Sequence, residues 1–416
     1  MSAAAQPLVV VTEWGARGAV LLGLLLLVLG FAALIYRYVL ARSRPPPFRA
    51  TIAIAAAGLL AAFFSPILFS SDVYAYAAYG ELARLGANPY AFAPSSLAKD
   101  ALISAAAWQW SGTLPICVYG PAFVALAKAF VVLLAPLGML AQLNGLRAAA
   151  SVSFLLCGPL AFVAYTGSRS ARLRSVATIL LNPAAIWCAA EGHNDAIALC
   201  VVLAGFALVR RRLGAAGAFL AALAALIKLP GAAAAAGLSL VDRRARIGAI
   251  AGLAIAAAFS VPLFAGVATQ LAPRGHYAPQ ASLQAVFAPL GLAIALPAAA
   301  VVATVLVAAG TRRLRREQPD GWVWVGLGAW MLVPNPYPWY GLWLLALAAI
   351  APQSRGGRAA VLLSLTALLR YAPDAIAMPP AGPQVALGLL ATLPLVALLP
   401  RRRHRFFARP VIMSDP

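Results

Sequence analysis

Apolar runs of roughly the 20 residues that a membrane-spanning helix needs recur along this chain, and short loops holding most of its arginines separate them. A backbone crossing lipid must satisfy its polar groups internally, so runs of this kind fold as helices. Composition agrees: 63% hydrophobic residues, 10% charged and a mean hydropathy of +0.88 lie outside the range of soluble globular proteins. The formal charge is +21, from 32 basic and 11 acidic residues. In a soluble protein that excess would suggest nucleic acid. Here the arginines sit in clusters between apolar runs, which is the pattern of membrane orientation, and no nucleic-acid partner is expected. The reading is an all-α polytopic membrane protein.

Placing each arginine cluster on the cytoplasmic side orders the crossings. Runs at 16–36 and 50–69 flank an inner loop with Arg37, Arg42, Arg44 and Arg49. No basic region precedes the first run, so it reads as a retained, reverse-oriented anchor and not a cleaved signal. Residues 70–118 then form an external loop of juxtamembrane helices, with Pro89, Pro94, Pro115, Trp108 and Trp110 at the interface. The loop with Arg169, Arg172 and Arg174 falls inside only if 119–140 is a juxtamembrane or re-entrant helix and 146–166 crosses. The remaining runs alternate to about 13 transmembrane helices in a single domain over 1–416. One of them, 231–241, is short enough for a half-helix beginning at Pro230.

This bookkeeping gathers the unusual residues on the external face: Asp72, Tyr119, His193, Asn194, Asp195, Lys228, Arg274, His276, the 334–340 segment with Trp339 and Tyr340, and Asp374. An acid beside lipid is costly unless solvated, paired or used. Asp72 is therefore the first residue to explain, and Tyr76 and Tyr79 share its helical face at +4 and +7. Blander readings stand beside these. Asp72 would serve as an N-cap, residues 193–195 would cap the helix after them, and Lys228 would snorkel. Trp322, Trp324, Trp330, Trp339 and Trp343 would form an interfacial belt. Glu81, Asp100 and Asp374 read as solvated or structural. Cys117, Cys157, Cys188 and Cys200 lack disulfide or zinc spacing. No Walker or GxGxxG motif is present. The acids and histidine of 191–195 leave a divalent cation open as cofactor.

Several segments occur in an order that resembles a known family. They are Asp72-Val73-Tyr74-Ala75-Tyr76 with Gly80, Asn88-Pro89-Tyr90, Tyr119-Gly120-Pro121, Asn182-Pro183, Gly192-His193-Asn194-Asp195 and Lys228-Leu229-Pro230. Together they resemble the bacterial polyprenyl-phosphate-mannose-dependent α-1,6-mannosyltransferases of the GT-C superfamily. The likeness covers about 50–240, with Tyr337-Pro338-Trp339-Tyr340 as a later echo. It implies a GT-C fold in the bacterial inner membrane, an active site on the extracytoplasmic face and a polyprenyl-phosphate sugar donor. A glycan or glycolipid acceptor and Asp72 as catalytic base are also implied. Inverting transfer needs one base and stabilisation of a departing phosphate, unlike the two carboxylates of a glycoside hydrolase.

Two alternatives have distinct signatures. The donor sugar could instead be glucose or arabinose. A transporter or flippase of lipid-linked sugars should show pseudo-symmetric halves with matching broken helices, and no internal repeat is visible.

Overall fold

The computed structural model describes residues 16–399 apart from 66, 68–69, 92–94, 111–113, 262–277 and 373–381. Every regular element among the described residues is a helix. The first half comprises α1 (Ala16–Ala41), α2 (Phe48–Phe64), α3 (Asp72–Arg84), α4 (Ala101–Gln109), α5 (Pro121–Leu134) and α6 (Met139–Ala164). It continues with α7 (Arg169–Leu180), α8 (Pro183–Ala190), α9 (Asp195–Arg210), α10 (Gly214–Leu223), α11 (Pro230–Val241) and α12 (Arg243–Phe259). The second half comprises α13 (Leu283–Phe287), α14 (Leu292–Arg315), α15 (Gly321–Met331), α16 (Gly341–Ala348), α17 (Arg355–Thr366) and α18 (Gly382–Thr392).

By length and composition, α6 and α14 are apolar and long enough to cross a membrane. A third span arises if α7 and α8, bent by 54° at their junction, count as one. Much of the remaining apolar sequence forms helices of 10–17 residues, so helix length alone does not carry about 13 crossings. The cause is local. Proline and short 3-10 turns interrupt apolar runs that hydropathy treats as continuous. Leu27, Phe31, Leu34, Ile247, Ile250, Val301 and Val305 are all exposed, a surface that lipid solvates and water does not. The chain is a membrane protein.

Most predicted boundaries hold to about five residues, but α7 starts at Arg169, six residues before the expected 175, so the expected arginine loop lies in a helix. The expected 284–310 run is broken between α13 and α14. The fifth and sixth helices differ further. There α6 starts directly after Gly138, seven residues before the expected 146, and α5 stands as a separate helix. Two arginine-bearing segments meet: Arg174, on α7, donates to the carbonyls of Arg42 and Ser43 at 3.0 Å. Within 70–118, Asp100 caps α4 through Leu102 and Ile103, and Glu81 pairs with Arg84. Both are structural.

Candidate active site

Three helix breaks carry the site, and each is written in the sequence. At the first, Gly120 is the N-cap and Pro121 the first residue of α5. Gly120 lies so close to the 224–229 turn that a Cβ there would sit 2.1 Å from the Leu226 carbonyl oxygen, and its N–H donates to Ile227 at 3.2 Å. That approach sets Tyr119 beside Lys228. The Asn88-Pro89-Tyr90 turn braces it: Tyr90 donates to the Tyr119 carbonyl at 3.1 Å, and the Cys117 N–H donates to Pro89 at 3.0 Å.

At the second break, Asn182 caps α8 through Ala185 and donates to Ser364 on α17 at 3.0 Å, while Pro183 starts the helix. α8 ends at Gly192, whose φ of +97° suits glycine and turns the chain into His193. Buried Arg147 on α6 saturates this corner. It donates to the carbonyls of Ala190 and Phe63 at 2.9 and 2.7 Å, joining the ends of α8 and α2. At the third break, α10 passes through a 3-10 turn before Pro230 opens α11, leaving Lys228 on the turn between them.

These breaks converge on Asp72, the first residue of α3. Ser71 occupies the cap position, and the Asp72 carboxylate is not a helix cap. Its Oδ2 accepts from the hydroxyls of Tyr76 and Tyr119, both at 3.3 Å, and lies 3.7 Å from His193 Nδ1. Tyr76, Tyr119 and Phe123 pack edge to face around it. Burial pushes the Asp72 carboxyl above the usual carboxylate range, although the nearby Lys228 charge and the Ser70, Tyr119 and Tyr76 hydroxyls pull it back. His193 is held well below its ordinary value by burial and by Lys228, so it faces the carboxylate as neutral imidazole.

Asp195 lies one turn further on and is engaged on both oxygens. Lys228 pairs with Oδ2, and Trp343 Nε1 donates to Oδ1 at 2.7 Å. The Lys228 ammonium also lies 5.6 Å from the Tyr119 ring and 5.3 Å from the Tyr340 ring. Tyr119 thus links the two acids, its hydroxyl on one and its ring beside the cation of the other.

Asn194 is the N-cap of α9 by position, but its side chain caps nothing, and neither of its polar atoms has a protein partner. The His193 ring nitrogens are likewise without a hydrogen bond, although both residues are buried. Buried polar atoms left open in a cluster of this kind suit a polar ligand. His193 stacks on Trp339 at 4.0 Å between ring centroids.

Most residues singled out from the sequence therefore meet: Asp72, Tyr76, Tyr119, His193, Asn194, Asp195, Lys228, Trp339 and Tyr340. Tyr79 joins from the side, its ring 6.3 Å from Tyr119 and its hydroxyl donating to Pro115. Arg274 and His276 lie outside the described residues, as does Asp374. Sequence reasoning put Trp343 in an interfacial belt, and its indole instead bonds Asp195. It marked Tyr337 only within the Tyr337-Pro338-Trp339-Tyr340 segment and passed over Arg370 and Arg147, for which no local pattern stands out. Glu191, read from the sequence as solvated, is buried and accepts from Trp187 Nε1 at 2.9 Å, an i, i+4 pairing the sequence reading passed over. Among the described residues, no group of three or more His, Cys, Asp or Glu could hold a metal ion, and the four cysteines are free thiols.

A buried carboxylate flanked by phenols, a neutral imidazole and a lysine, assembled from helix breaks in an all-helical membrane chain, has the components of an acid–base transfer site. The family model for the alpha-(1->6)-mannopyranosyltransferase N-terminal domain, of the MptA_B family, matches residues 3–244, more than half the chain. The chain belongs to this family and is a glycosyltransferase of the mannosyl-transferring kind. No curated protein and no solved structure gives a significant match to it.

Proposed function

We propose that this enzyme is a GT-C transferase that moves mannose, with inversion, from a polyprenyl-phosphate donor to a hydroxyl of an extracytoplasmic glycan or glycolipid. Asp72 acts as general base at the outer face of the bacterial inner membrane. The observation that carries this reading is the Asp72 carboxylate, buried at a helix start yet capping nothing and aimed into a ring of Tyr76, Tyr119 and His193.

The acceptor hydroxyl gives its proton to Asp72 as its oxygen attacks the anomeric carbon. The bond from that carbon to the phosphate oxygen breaks, and the electron pair leaves on the polyprenyl phosphate. A carboxyl pKa raised by burial makes Asp72 a stronger base than an exposed carboxylate, the direction such a step favours. The leaving phosphate needs cationic or N–H partners and no general acid. Lys228, set against Tyr119 and Tyr340, is the assigned cation, and Arg274 and His276 are further candidates. Asn194 and His193 offer polar atoms to hydroxyls of the acceptor, with Trp339 and Tyr340 beside them. Direct displacement that yields the α-linkage of the family's name calls for a β-linked donor.

The test is transfer of radiolabelled mannose from synthetic polyprenyl-phosphate mannose in membranes carrying wild-type or Asp72→Asn chain, with the glucose and arabinose donors run in parallel. Equal transfer by both chains would remove Asp72 as base. Preference for another sugar would correct the donor, and no transfer from any of them would favour the flippase.

A further inference from the structure

One set of aromatic contacts runs from the far end of the chain to Asp72. Buried Arg370 donates from its guanidinium to the Tyr337 hydroxyl at 3.0 Å and lies 4.7 Å from the centroid of the same ring. Tyr337 stacks on Trp339 with centroids 4.5 Å apart and planes within 7°. Trp339 stacks on His193 at 4.0 Å and 18°, and His193 reaches Asp72 at 3.7 Å. Tyr340 closes the side with edge-on contacts to Tyr337 and Trp339 at 6.1 and 5.8 Å, and Tyr371 leans on Tyr337 at 6.5 Å.

We infer that the Arg370–Tyr337–Trp339 stack holds the His193 imidazole against the Asp72 carboxylate, so that these three residues act as positioning residues for the base. The inference rests on the reading of Asp72 as base, and it assigns a task to a part of the chain beyond the family-matched 3–244. Two features of the geometry support it. The ring nitrogens of His193 make no hydrogen bond, so ring stacking, not a polar partner, defines the plane of the imidazole. The π-surface of Trp339 is already engaged by two protein rings, which suits a spacer better than a platform for sugar.

The groups facing Asp72 are Tyr76 from its own helix, Tyr119 from the turn before α5, His193 from the α8–α9 turn and, through space, Lys228 and Tyr371. Of these, His193 stacks directly on Trp339, and Tyr371 touches the stack only at the Tyr337 ring. At 3.7 Å the neutral imidazole packs against the carboxylate and limits the directions it can take. Loosening the stack should therefore lower the turnover rate with little effect on donor binding.

A double-mutant cycle in membranes with the full chain and radiolabelled polyprenyl-phosphate mannose decides the matter. Tyr337→Leu is expected to lower kcat roughly tenfold with KM within about twofold. In a His193→Asn background, itself slower but measurable, the same change should cost less than about twofold. Tyr337→Phe keeps the ring and should recover most of the rate. Equal losses in both backgrounds, or a Phe variant as poor as Leu, would overturn the inference. If Tyr337→Leu fails to accumulate, Arg370→Gln supplies a second cycle, with a loss of about threefold that must likewise depend on His193. Active Asp72→Asn would defeat the base reading whatever the cycle gives. Inactive Asp72→Asn with additive losses would defeat the stack alone.

Discussion

Asp72 and Asp195 are both buried carboxylates in the first turn of a helix, and both belong to motifs legible in the sequence. Their surroundings differ in kind. Asp195 has a lysine on one oxygen and an indole N–H at 2.7 Å on the other, with no exposure at all. Asp72 meets phenolic hydroxyls at 3.3 Å and an imidazole at 3.7 Å, and its one nearby cation acts through space. A carboxylate held by strong donors has little left for a substrate. One held weakly and desolvated can accept a proton. Asp72 is thus suited to chemistry, and Asp195 to holding Lys228 in place.

The largest expected contrast comes from amide replacement at each acid. Asp72→Asn should lower mannose transfer by about a thousandfold, within the usual range for loss of a general base, with the folded protein recovered in full. Asp195→Asn should instead act first on the fold: leaving the half-buried Lys228 without its partner costs about 1–3 kcal/mol, read as lower yield and lower thermal stability in detergent. The comparison breaks if the two variants behave alike.

A smaller effect tests the ring around Asp72. Removing either hydroxyl, in Tyr76→Phe or Tyr119→Phe, should reduce kcat by about fivefold, a typical loss for one hydrogen bond. It should also raise the Asp72 pKa further and shift the acid limb upward, as a pH–rate series will show. The sign for stability follows from linkage. A folded pKa above the unfolded value means that the native state binds more protons between the two, so stability falls as pH rises from about 3.8 through the folded pKa. Asp72→Asn should therefore be at least as stable as wild type at neutral pH, and Asp195→Asn should not. The smallest effect serves as a control: Asp100→Ala removes a helix cap away from both acids, costs about 1 kcal/mol in thermal unfolding, and leaves kcat unchanged.

How much of the site was legible varies residue by residue. Asp72, Tyr76 and Tyr119 were marked by position and helical spacing, and Lys228 by the proline that follows it. Asn182-Pro183 and Asn88-Pro89-Tyr90 were legible only as motifs; their tasks, starting α8 and bracing the Tyr119 turn, needed coordinates. Trp343 looked like any interfacial tryptophan because sequence shows its distance from a helix end and not what its indole faces.

The sequence by itself determined that the chain is helical, apolar in long runs and broken at defined prolines and glycines, because those properties follow from local backbone geometry and the cost of exposing polar groups to lipid. It also determined where the arginines cluster. Only the tertiary structure decided which acid is saturated and which is left available. That depends on contacts between residues far apart in the chain, such as Trp343 with Asp195, 148 positions away, and Arg370 reaching His193 through Tyr337 and Trp339. No periodicity or spacing encodes such meetings; they follow from how the broken helices pack.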